Sequence, residues 1–119
     1  MDGRENGMRL FEIPNGKAQS NDKIVLIVML GTLEALKTNK ITTSEAELVI
    51  FSPWALELFS DVGIDRKIIE VVQKGCFLED IESLMPDKLA KEIDDLQEEA
   101  LDLMGKCDEI LPYGSYGKF

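Results

Sequence analysis

Leu89-Ala90-Lys91-Glu92-Ile93-Asp94-Asp95-Leu96-Gln97-Glu98-Glu99-Ala100-Leu101-Asp102-Leu103 is the stretch on which the fold turns. Its apolar residues Leu89, Ile93, Leu96, Ala100 and Leu103 follow one another at intervals of four, three, four and three. That alternation puts all five on one stripe of a helix, the a/d seam along which a helix lies against a neighbour. Pro86 just upstream suits a helix start, where its missing N–H would have no partner anyway. Gly105 just downstream suits a stop. A helix from 86 to 105 is therefore expected, with Asp87 and Lys91 pairing on its outer face.

Working back toward the N-terminus, the same period recurs. Val25, Leu26, Met29, Leu30, Leu33 and Leu36 form a stripe that Asn21 or Asp22 could cap and Asn39 could stop. Ile24, Ile27 and Val28 add apolar surface outside the stripe, so this segment is expected to be the central, most buried helix. The Ile and Val content of residues 23 to 30 also suits a buried strand. Leu33, Glu34, Ala35, Leu36 and Lys37 favour the helical reading, because they extend the segment with good helix formers. Thr42 before Glu45, and Ser44 before Glu47, are two alternative capping boxes for the next helix. Pro53 closes that helix and opens another, in which Trp54 reads as a core anchor among Leu56, Leu58 and Phe59. Gly63 ends it. Asp65 opens a helix that runs to Gly75, and a short helix at 78 to 84 leads into Pro86.

The expected fold is thus all-α: a single compact bundle of about five helices over residues 22 to 109. Residues 1 to 21 read as an incompletely ordered leader, in which residues 8 to 13 form one short strand or simply pack down. Residues 110 to 119 read as a glycine-containing aromatic tail. One domain is what 119 residues allow. The longest strongly apolar run, residues 24 to 30, is far short of the roughly 20 residues that span a bilayer. With no signal-peptide pattern, a cytoplasmic location and no membrane partner are expected.

Composition removes whole classes of chemistry. The chain has no histidine, so Ser-His-Asp and Cys-His catalysis and His-ligated metals are out. The two cysteines, Cys76 and Cys107, are too few and too far apart for a zinc site and read as reduced, partly buried side chains. No phosphate-binding loop and no G-x-S-x-G occurs. No enzymatic activity, cofactor or metal is expected. A net charge of −10 also disfavours direct nucleic-acid binding.

The charge is uneven. Residues 79 to 109 hold twelve acids against three lysines, nearly all of the net charge. On the helix quoted above, Asp95, Glu98, Glu99 and Asp102 fall at i, i+3, i+4 and i+7, on one face. Such a face is either a solvated surface that keeps the protein soluble or a docking surface for a basic protein. A specific interface also needs an apolar anchor, for which Tyr113 and Tyr116 are the nearest candidates.

Two resemblances attach to these residues. Glu79-x-x-Glu82 followed by Glu92-x-x-Asp95 resembles the paired carboxylates of all-α nucleotide pyrophosphohydrolases, which implies magnesium held between facing helices. Here only nine residues separate the two pairs, which is tight for that family, and Pro86 stands between them. A small, acidic, helical chain without catalytic equipment resembles, at class level, the bacterial immunity proteins that neutralise cationic toxin domains. That resemblance implies a non-enzymatic module whose final-helix acids first meet a basic, nuclease-type toxin. No motif carries it, and the adjacent tyrosines of the best-known helical immunity family have no counterpart, so no residue role is transferred. A third reading is a regulatory interaction module for an unrelated basic protein.

Overall fold

A computed structural model describes residues 18–108. Among these the chain is entirely helical, with six α-helices and one 3-10 turn. The helices are α1 (Ala18–Lys37), α2 (Thr43–Val49), α3 (Pro53–Asp61), α4 (Arg66–Gly75), α5 (Leu78–Leu84) and α6 (Leu89–Met104). The 3-10 turn, Pro86–Lys88, separates α5 from α6. The described residues are thus all-α, with one α-helix more than the five expected. The segment at 23 to 30 is helix and not strand. The short strand considered at 8 to 13 lies outside the described residues.

The helix punctuation follows from local chemistry. At the end of α1, Asn39 sits in the left-handed region at φ 60°. The Asn39 N–H then reaches the Leu36 carbonyl and the Lys40 N–H reaches that of Ala35, a Schellman closure. Gly63, at φ 81°, closes α3 in the same way, with Gly63 donating to Ser60 and Ile64 to Phe59. At the start of α2, Thr42 and Glu45 make the reciprocal capping box. Ser44 does not cap; its hydroxyl turns to Glu79 instead. Ser52 caps α3, with Pro53 in its first turn, and Asp65 caps α4.

Several expectations are corrected. Asn21 and Asp22 do not cap α1, which begins at Ala18; both are buried within it. Asp22 Oδ1 accepts the Asp65 N–H at 3.0 Å, so its carboxylate ties α1 to the start of α4 rather than serving its own helix. Pro86 opens the 3-10 turn, and the long helix starts at Leu89. Trp54 is not a core anchor: at the second position of α3 it is 45% exposed, while Ala55, Leu58 and Phe59 take the buried positions. Lys91 pairs with Asp95 at 2.9 Å and not with Asp87.

The core is built around α1. Val25, Leu26, Met29 and Leu33 have no solvent exposure, although Ile27, counted as part of the buried overflow, is half exposed. The quoted seam behaves as its spacing predicts: Ile93, Leu96 and Ala100 are buried, and Leu89 and Leu103 pack partly against the same cluster. α6 lies chiefly along α1 and also touches α4 and α5. Lys37 meets Asp94 at 3.0 Å and Glu34 accepts from Gln97 at 3.1 Å, which fixes α1 and α6 as antiparallel. Cys76 and Cys107 are unpaired and partly buried, their thiols aimed at the Val72 and Leu103 carbonyls. Burial raises both thiols above their ordinary pKa, which favours the protonated form.

Candidate functional site

Once the seam of α6 is fixed in the core, the positions of its acids are fixed too. Asp95, Glu98, Glu99 and Asp102 line one shallow depression on the outer side of the helix. They are not equivalent. Asp95 is held by Lys91 from the previous turn, and Glu99 by Lys74 of α4 at 2.7 Å. Each lysine is kept charged above its ordinary range by the carboxylate it meets. Among the described residues, Glu98 and Asp102 have no ion-pair partner, and both are exposed. The free charge of the face therefore rests on two of the four acids.

The face continues across α4. Lys67, Glu70, Val71 and Lys74 meet Glu99, Asp102 and Leu103 along the α4–α6 seam. Farther along, Glu70, Gln73 and Lys74 of α4 join Phe77, Ile81 of α5 and Glu92 of α6 around an open groove of about 560 Å³. Phe77 is 57% exposed there. This apolar groove was not foreseen, because Phe77 stands between two helices and so belongs to neither helix's periodic stripe. Its position between the helix-ending Gly75 and the start of α5 was the available signal. Tyr113 and Tyr116 lie outside the described residues.

The two carboxylate pairs that resemble a magnesium site do not converge. Glu82 accepts the Thr43 hydroxyl at 2.7 Å, and Glu79 accepts that of Ser44 at 2.5 Å, so both acids face the first turn of α2. Asp95 is engaged by Lys91 on α6 and Glu92 borders the groove. Among the described residues, no three acidic or thiol side chains gather as a metal site would require. No helix among them is long and apolar enough to cross a membrane.

Residues 16–111 match the family described as "Protein of unknown function (DUF3969)". No curated protein and no solved structure matches the chain.

Proposed function

The chain belongs to the DUF3969 family, and we propose that it is a non-enzymatic protein-binding module that docks a basic partner through the outer face of α6. The observation that carries this reading is the pair Glu98 and Asp102, exposed and without a cationic partner among the described residues, on a helix whose opposite side is buried. Like charges on one helix face destabilise it, so leaving them unmatched favours a complex in which the partner supplies the cations. Electrostatic complementarity of this kind raises encounter rates and excludes wrong partners.

The most specific form of the reading is an immunity protein that acts in the cytoplasm on a cationic, nuclease-type toxin domain, covering the basic surface the toxin uses for nucleic acid. A pull-down with the full chain as bait, followed by mass spectrometry, tests it. A basic protein retained at low salt and released as salt rises supports the proposal, and inhibition of that protein's nuclease activity would establish the immunity form. Retained proteins that are not basic, or that stay bound regardless of salt, would contradict it.

A further inference from the structure

Resting on that reading, we propose that the groove floored by Phe77 and Ile81 anchors the same interface, and that its occupant is a cationic amphipathic helix of the partner. One apolar side chain of that helix enters beside Phe77 and Ile81, while lysine or arginine side chains meet Glu70 and Glu92. Phe77 is one of eight large hydrophobics exposed among the described residues, and it borders an open groove. It occupies the N-cap of α5, a position that favours short polar side chains, and it makes no capping hydrogen bond. It is not core either, with more than half of its surface in water. A half-exposed aromatic bordering an apolar groove is the type of residue that anchors an interface.

The rim selects the charge of the occupant. Lys74 is already matched by Glu99, and Arg66 approaches Glu70 only to 3.9 Å from a highly exposed position. Glu92 has no ion-pair partner among the described residues. The unmatched charge around the apolar floor is therefore negative. A second copy of the chain, itself at −10, is a poor occupant for it. The groove is lined from three helices, with Glu70, Gln73 and Lys74 on α4, Ile81 on α5 and Glu92 on α6, and Phe77 in the turn between α4 and α5. An apolar floor with acids on its rim suits the apolar face of an amphipathic helix whose flanking side chains are cationic. Glu70 and Lys74 also border the seam that carries Glu99 and Asp102, so groove and acidic face form one continuous surface.

The test uses the full chain, isotopically labelled for NMR, titrated with a synthetic leucine–lysine peptide of about 18 residues, long enough to be helical. A scrambled peptide of the same composition and a leucine–glutamate peptide are the controls. The amphipathic cation should shift the amide resonances of Glu70, Phe77, Ile81 and Glu92, and neither control should. Phe77→Ser should weaken binding about tenfold; Glu92→Lys, at the half-buried rim, provides the same reading should Phe77→Ser fail to fold. Shifts confined to residues 95 to 102, with Phe77→Ser and Glu92→Lys both neutral, would overturn the groove while leaving the acidic face intact. Equal binding of the scrambled peptide would also overturn it. Loss of binding in Phe77→Ser with no effect of Glu98→Lys/Asp102→Lys would uphold the groove and count against the acidic face. Shifts that grow with protein concentration alone would assign the groove to a second copy and overturn the proposal.

Discussion

Asp22 shows how one residue can mislead a sequence reading and still explain the fold. Aspartate ahead of an apolar stripe normally signals a helix cap, but here a buried carboxylate, 8% exposed, bridges α1 to the backbone of Asp65. Burial, with Asp65 nearby, raises its pKa above the ordinary 3.8 despite that hydrogen bond. The native state then holds the proton more tightly than the unfolded chain does. Its contribution to stability is complete below 3.8 and is lost as pH rises through the raised native value. Asp22→Asn keeps an acceptor for the Asp65 N–H without the buried charge. At neutral pH it should be at least as stable as the wild type in urea, with the gap closing on acidification below 3.8. A variant weaker at neutral pH would contradict this. Gly75 is the second residue whose role only packing reveals. The sequence marks it as a helix stop, but a Cβ there would run into the buried Phe51 ring. Gly75→Ala should therefore lose about 1–3 kcal/mol despite alanine's better helix propensity, measurable as a lower denaturation midpoint. Trp54 was misread because Leu58, four residues on and buried, points to the same side of the helix, yet Trp54 stands in the first turn of α3, where it stays 45% exposed.

At the scale of elements, the sequence was most readable where a side chain does its work locally. Thr42, Asp65, Asn39 and Gly63 each act within a few residues, and each stands where its chemistry predicts. Thr42→Ala removes one half of the α2 capping box and should cost about 1 kcal/mol, with no change in the folded helical spectrum. The α6 seam was readable for a different reason: five apolar residues in strict alternation leave one way to bury them. Leu96→Ala, at a fully buried seam position, should lose about 2–5 kcal/mol. Glu98→Lys/Asp102→Lys on the outer face should leave the helix intact by circular dichroism. What the pattern could not supply were partners between elements. Glu79 and Glu82 read as one half of a paired-carboxylate pattern completed by Glu92 and Asp95, yet they serve the hydroxyls of Ser44 and Thr43, more than thirty residues away in sequence. The groove beneath Phe77 is of the same kind, since it exists only where α4, α5 and α6 meet.

For the whole molecule, charge is the dominant fact. Sequence alone located nearly all of it in residues 79 to 109, but not which acids are matched. The structure takes Asp94, Asp95 and Glu99 out of the unmatched set by pairing them with Lys37, Lys91 and Lys74. The remaining like charges repel within the free protein. Moderate salt, which screens exposed charges beyond about 10 Å at 0.1 M, should thus raise its thermal stability. The same salt should weaken its complex with a basic partner, so the two responses have opposite signs. The central claim is that Glu98 and Asp102 steer that encounter. Its most direct measurement is the association rate of the basic partner recovered by pull-down, for wild type and Glu98→Lys/Asp102→Lys, across a salt series. The account predicts a wild-type rate that falls steeply with salt, and a variant rate that is lower at low salt and nearly flat. A folded variant that associates at the wild-type rate at every salt concentration would contradict it.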